Sequence, residues 1–245
     1  MRNIRLLIEY DGTNYHGWQV QPNALTIQEV LEKKIEVMTR EPVRLIASGR
    51  TDAGVHALGQ VANFQTPSSI PADGFQRGLN SLLPPDIIVR SAEEVDTQFH
   101  AQYGAKRKTY RYVILNYEVP SAISRNYSWH LPLPLDVQAM QEAGGLLLGR
   151  QDFTSFQGAD ADTEDPVREV YRAEWSVEEK NFLHFTIEAD GFLKHMVRNI
   201  VGTLAEVGRG KLSLQDFKRI LGARDRRQAG ITAPAQGLFL VEVKY

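Results

Sequence analysis

Apolar and polar residues alternate along this chain with two different periods, and each change of period marks an element. Ile4, Leu6, Ile8 and Tyr10 are separated by mostly polar neighbours, the two-residue period of a strand. Thr26-Ile27-Gln28-Glu29 has the form of a capping box, and Val30, Leu31, Ile35 and Met38 then fall on one helical face. Glu41-Pro42 ends that helix. Strands are predicted over residues 43–48 and 57–65, and a helix over 71–83 carries Phe75, Leu79 and Leu82 inward. Pro84-Pro85 stops it before a strand at 87–91. The order is βαββαβ, the ferredoxin-like pattern.

The second half runs through the same order. A strand is predicted at 109–115, a helix at 135–148 and strands at 170–177 and 182–189. Helices at 196–207 and 214–221 lead to a closing strand at 238–243. The expected class is α+β, with two ferredoxin-like halves assigned to residues 1–104 and 105–245. Their sheets either pack or fuse into one surface, with a cleft between the halves. The loop 151–166 holds Asp152, Asp160, Asp162, Glu164 and Asp165 around Gly158. It is expected to be mobile, either as a functional loop or as a plain surface excursion.

Composition narrows the class of function. Apolar residues make up 42% of the 245 and charged ones 24%, ordinary values for a globular protein. With no cysteine, neither disulfides nor thiolate metal sites are available. The N-terminus has no signal-peptide core, and no run reaches the ~18–20 apolar residues of a membrane span. A cytoplasmic location, away from membranes, is the expectation. The net charge of −2 argues against binding nucleic acid by bulk attraction. Charge is nevertheless uneven: Lys194, Arg198, Arg209, Lys211, Lys218, Arg219, Arg224, Arg226 and Arg227 face only Glu206, Asp216 and Asp225 in one stretch. Lys106, Arg107, Lys108 and Arg111 lie beside Tyr103, Tyr110 and Tyr112. Basic groups interleaved with aromatics suit a phosphate backbone with exposed bases. The stretch from Lys211 onward reads equally well as solvated helix faces.

Several chemistries fail on spacing. The six histidines include no i,i+3 or i,i+4 pair, so no helical zinc motif exists. Gly208-Arg209-Gly210-Lys211-Leu212 lacks the first glycine of a phosphate loop and the hydroxyl after lysine. Ser48 is not in a Gly-x-Ser-x-Gly elbow, because Ile46 takes the first glycine position. Nothing demands a metal or an organic cofactor. What remains is Ser48-Gly49-Arg50-Thr51-Asp52-Ala53-Gly54-Val55-His56-Ala57, a turn displayed between two strands. Arg50, two positions from Asp52, favours an ionised carboxylate, the form covalent catalysis on a sugar requires. An Asp-x-Gly turn of purely structural use is the plainer alternative.

That segment closely resembles the active-site segment of the TruA-type tRNA pseudouridine synthases. The similarity extends to Tyr10-Asp11-Gly12-Thr13, Tyr15-His16-Gly17-Trp18-Gln19, Phe99-His100-Ala101 and Lys108-Thr109-Tyr110-Arg111-Tyr112. It continues through Asp152-Phe153-Thr154-Ser155-Phe156 and Phe192-Leu193-Lys194-His195-Met196-Val197-Arg198-Asn199, in the family's order. The resemblance implies isomerisation of uridine to pseudouridine at positions 38, 39 and 40 of the tRNA anticodon stem-loop. It also implies a homodimer, no cofactor, and two ferredoxin-like halves around a mostly antiparallel sheet with helices on one side.

By the same resemblance Asp52 is the essential carboxylate, attacking C1′ or taking a sugar proton. Tyr110 is the candidate to stack on uracil and to remove the C5 proton, Arg198 the cation paired with Asp52. Arg50 fills the space left by the extruded base or grips phosphate. His56 orients the turn or contacts RNA, and Leu238 forms an apolar wall of the uracil pocket or is an ordinary core leucine. Lys106 and Lys108, from the basic cluster beside the tyrosines, are the candidates to hold the RNA backbone. Two rivals are a noncatalytic RNA-binding module and a nucleosidase-type hydrolase using Asp52 with another acid such as Asp11.

Overall fold

The computed structural model describes residues 1–158, 165–178 and 181–245. They divide into two units, Met1–Lys106 with Phe239–Tyr245, and Arg107–Leu238. Both are α+β.

In the first unit, β1 (Arg2–Tyr10) buries Ile4, Leu6, Ile8 and Tyr10, the alternating set. It runs antiparallel to β3 (His56–Thr66) on one side and to β4 (Ile87–Val95) on the other. Helix α1 (Ile27–Thr39) starts at Thr26, whose hydroxyl accepts from the Glu29 N–H at 3.4 Å. The return arm of the capping box is missing, because the Glu29 carboxylate pairs with Lys33 one turn on. Helix α2 (Ala72–Leu82) buries Phe75 and Leu79, whereas Leu82 is turned outward. Phe75 meets Phe64 of β3 edge to face at 5.3 Å.

The strand predicted at 43–48 shrinks to a two-residue β2 (Ile46–Ala47) on β3. Helix α1 explains the loss. Its Glu32 carboxylate accepts from the Leu45 N–H at 2.9 Å and its Gln28 amide donates to the Leu45 carbonyl at 3.2 Å. Side chains thus satisfy backbone groups that a ladder would otherwise serve. The final strand β10 (Leu238–Lys244) lies parallel to β3, with Phe239 opposite His56. One parallel neighbour therefore joins an otherwise antiparallel set.

The second unit has β5 (Arg107–Asn116), β9 (Phe182–Ala189), β8 (Val167–Glu178) and β7 (Gly149–Asp152) antiparallel in that order. A short β6 (Trp129–Leu131) lies parallel to β5. Helix α3 (Val137–Gly145) is shorter than predicted, opening where Asp136 caps the Ala139 N–H at 2.9 Å. Helices α4 (Met196–Gly208) and α5 (Leu214–Ala223) fall where the periodicity puts them. The first part of the loop expected at 151–166 is ordered: β7 takes Gln151 and Asp152, and a 3₁₀ turn at Thr154–Phe156 buries Phe156 beside Phe153. Residues 159–164, with Asp160, Asp162 and Glu164, lie outside the described residues. No helix of the described residues is long and apolar enough to cross a membrane.

Candidate active site

The Asp52 loop leaves β2 and enters β3 with its backbone held at several points. The Ser48 N–H reaches the Val61 carbonyl at 2.8 Å, and the Ser48 hydroxyl donates to the Gln60 side-chain carbonyl at 2.6 Å. The Gln60 amide returns a bond to Gly49 O at 2.9 Å. Thr51 is buried, its hydroxyl 2.7 Å from the Tyr10 hydroxyl and its carbonyl accepting from the Trp18 N–H at 3.1 Å. Burial pushes the Tyr10 phenol far up, so the group stays neutral. Gly54 adopts a φ of +76°, and its N–H bonds to Tyr15 O. Asp52 itself is half-buried, and its carbonyl closes the turn by accepting from the Val55 N–H at 3.1 Å.

Arg50 is exposed, its Nε donating to the Gln19 side chain at 3.2 Å. His56 is 2% exposed and stacks on Phe239 at 4.7 Å, which makes it part of the frame. Its Nδ1 lies 3.1 Å from both the Gly12 nitrogen and Asp11 Oδ1. A backbone N–H can only donate, so Nδ1 accepts from Gly12 and the ring proton sits on Nε2. Asp11 Oδ1 meanwhile accepts from the Thr13 N–H at 2.9 Å and its hydroxyl at 2.6 Å.

In the second unit Tyr110 is buried on β5, opposite Ile187 of β9, with Phe192 packed edge-on at 5.0 Å. Arg198 is half-buried in the first turn of α4. Its Nε donates to Ala233 O at 2.8 Å and its carbonyl accepts from the Ala233 N–H at 3.1 Å. The segment carrying Ala233 is stitched onto α4. Arg226 donates to Asn199 Oδ1 at 3.0 Å, Thr232 Oγ1 at 3.1 Å and Gly230 O at 2.9 Å. The Thr232 hydroxyl reaches the same Asn199 oxygen at 2.6 Å, and the Gly230 N–H meets Thr203 Oγ1 at 2.9 Å. Tyr112 closes the far end by donating to Pro234 O at 2.7 Å. The sequence names Asn199 only as the end of a family-like block and Arg226 only within a basic run, indistinguishable there from its solvated neighbours. It gives neither a role and does not single out Thr232.

Leu238 is buried at the start of β10, Lys106 is exposed and Lys108 is half-buried. Burial lowers the Lys108 ammonium from its ordinary value, helped by the nearby Arg168. Arg107 lies 4.0 Å over the Tyr171 ring and pairs with Glu188 at 3.1 Å. Much of the basic stretch is neutralised locally. Arg209 and Lys211 pair with Glu206, Arg219 with Asp216, Arg227 with Asp225 and Arg224 with Asp152. For the four from Lys211 onward the solvated-face reading is the better one, whereas Arg209 is half-buried near the Trp129 ring. Among the described residues no three His, Asp or Glu side chains gather in a way that holds a metal.

Known proteins match this chain end to end. A family described as tRNA pseudouridine synthase matches residues 6–104 and 143–245. A protein named tRNA pseudouridine synthase A from Thermoanaerobacter sp. (strain X514) is 49% identical over 246 residues, covering 100% of both chains. Its namesake from Acetivibrio thermocellus is 50% identical over 245 residues, again covering 100% of each. A chain in the crystal structure of a Cbf5-Nop10-Gar1 complex aligns over 82% of this one and 54% of its own length. Its TM-score is 0.34 at 14% identity, so membership rests on the full-length relatives. The chain belongs to the tRNA pseudouridine synthase family.

Proposed function

We propose that this protein isomerises uridine to pseudouridine in the anticodon stem-loop of tRNA, at positions 38, 39 and 40, with Asp52 as the essential carboxylate. One observation carries the reading: a half-buried aspartate sits on a turn whose flanking backbone is tied down by Trp18 and Gln60, with the Thr51 hydroxyl held by Tyr10. Pre-organised groups need no rearrangement when charge develops during reaction. In the reaction the C1′–N1 bond breaks, uracil turns in place and C5 bonds to C1′, while C5 loses a proton and N1 gains one. Asp52 assists at C1′, by attack or by taking a sugar proton. Tyr110 is assigned to stack on uracil and Arg50 to occupy the place of the extruded base, which offsets part of the few kcal/mol that flipping costs. Lys106 and Lys108 are assigned to the RNA backbone, Leu238 to an apolar wall. The protein acts as a homodimer in this reading, in the cytoplasm and without a cofactor.

The hydrolase rival asks Asp11 to act as the second acid. Its Oδ1 is instead engaged by the Thr13 backbone and hydroxyl, where it shapes the turn after β1. The deciding experiment incubates the protein with unmodified tRNA and maps pseudouridine by carbodiimide-dependent reverse-transcription stops. Stops at 38–40 that vanish in Asp52→Asn, with tRNA binding kept, support the proposal. Free uracil in the supernatant points to hydrolysis, and binding without product points to a noncatalytic module.

A further inference from the structure

The block Phe99-His100-Ala101 has no part in the chemistry above, yet His100 and Gln102 line a cavity of about 190 Å3. The Asp52 loop contributes Gly49 and Arg50 to the same cavity, and Trp18, Arg44 and Leu45 line it as well. We propose that this cavity receives the base of a nucleotide adjoining the target uridine in the substrate RNA. The inference rests on the tRNA activity proposed above.

Size is the first argument. Small-molecule sites usually enclose roughly 300–1,000 Å3. A smaller opening suits one fragment of a larger ligand, such as a single planar base.

Rigidity is the second. Asn3 donates to Asp96 O at 3.0 Å and Phe99 O at 2.9 Å, and Asn63 accepts from the Ala101 N–H at 2.9 Å. The Tyr245 hydroxyl holds Ala101 O at 2.8 Å. A wall fixed in this way loses little freedom when a ligand docks.

Chemistry is the third. His100 Nδ1 accepts the backbone N–H groups of Gln102 and Tyr103, both at 3.2 Å. The neutral ring therefore carries its proton on Nε2, a donor with no hydrogen-bond partner among the described residues. The Gln102 amide adds donors, and the Arg44 side chain, 64% exposed, has only a 3.9 Å pairing with Glu32. This set matches the carbonyl oxygens and ring nitrogens of a base edge, with guanidinium groups at hand for the flanking phosphodiesters. Trp18 and Leu45 argue for a base over a phosphate, since apolar walls would leave a charged oxygen poorly solvated. Tyr103 stacks on His100 at 4.3 Å and is itself 82% exposed, which offers an outer face to a second base.

The test measures binding of anticodon stem-loop RNA to Asp52→Asn protein at fixed salt, with an abasic nucleotide placed in turn at each position flanking the target. One abasic position should weaken binding about tenfold, the loss expected when one held base is removed. Adding Gln102→Ala and Arg44→Ala, whose side chains brace no backbone hydrogen bond among the described residues, should cut that penalty to about twofold; His100→Ala should do the same. An undiminished penalty in these variants overturns the proposal, as does indifference to every flanking abasic position. Occupancy by uridine 5′-monophosphate with no abasic effect also overturns it, assigning the cavity to a free nucleotide. Pseudouridine mapping with the wild-type protein runs alongside. Product formed with no abasic effect removes the cavity alone, whereas absence of product removes the activity it rests on.

Discussion

A Cβ on Gly12 would stand 2.0 Å from the carbonyl oxygen of Val55, so the turn after β1 and the end of the Asp52 loop touch backbone to backbone. Gly17 repeats the arrangement at the other end of the loop. Its Cβ would lie 2.5 Å from Thr51 O, and its φ of +84° is one that side chains rarely adopt. Two glycines from far earlier in the chain thus locate the loop that carries the candidate nucleophile. Both fall in sequence blocks that resemble the family, and the contacts give those blocks a physical reason.

Gly12→Ala and Gly17→Ala should therefore displace the Asp52 side chain by shifting the backbone that carries it. Overpacking and strain of this kind cost about 1–3 kcal/mol, readable from urea unfolding. A misplaced reacting group costs about a hundredfold in rate, so turnover on tRNA should fall further than stability alone explains. Wild-type turnover in either variant would mean the loop is positioned by something else.

The Tyr110 ring packs edge-on against Phe192 at 5.0 Å. Tyr110→Phe keeps that packing and should leave tRNA affinity within about twofold, since stacking is a property of the ring. If the hydroxyl moves the C5 proton, turnover should drop by about 100-fold or more, the usual scale of general acid–base catalysis. Unchanged turnover would reduce the residue to a stacking platform.

The strands and helices with sustained periodicity were legible in the sequence: β1, α1, α4 and α5 lie within a residue or two of their expected places. Short elements were not. β2 is two residues long because Gln28 and Glu32 occupy the Leu45 backbone, a tertiary effect that no local pattern carries. β6 and β7 are likewise too short to show a period. The site was legible as a list of residue types, because an acid between glycines at a strand end is an unusual string. What the string could not show is the support beneath it. Buried His56, the Tyr10–Thr51 pair and the Arg226 network depend on residues far apart in sequence, and basic residues that looked alike divide into ion-paired ones such as Arg219 and an inward one, Arg226.

Asp216 supplies a pH test. It completes a capping box with Ser213 at the start of α5, and the Ser213 hydroxyl and N–H, with Arg219, hold its carboxyl down to about 2. A native value below the ordinary 3.8 means the ionised form is the one folding favours. Its contribution is complete above about pH 4 and disappears as pH falls through about 2. Asp216→Asn should be less stable than wild type at pH 6 and converge with it toward pH 2. A stability gap that stays constant down to pH 2 would show that the carboxylate's charge is not what the cap uses.

Arg226 tests whether the strap over α4 matters to activity. Its guanidinium bridges Asn199, Thr232 and Gly230, and the strap it holds presents Ala233 to Arg198 at both backbone and side chain. Burial pulls the Arg226 guanidinium below its ordinary value, the mark of a cation working as a structural fork away from open solvent. Lysine keeps the charge but cannot span three acceptors with a planar fork. Arg226→Lys should therefore cost about 1.5–3 kcal/mol in urea unfolding, the scale for hydrogen bonds to a charged group. Turnover should fall while tRNA affinity holds, because the disturbed group is Arg198 and not a phosphate contact. If tRNA affinity falls instead, with the same loss at every salt concentration corrected for stability, Arg226 is an RNA contact and the strap is passive.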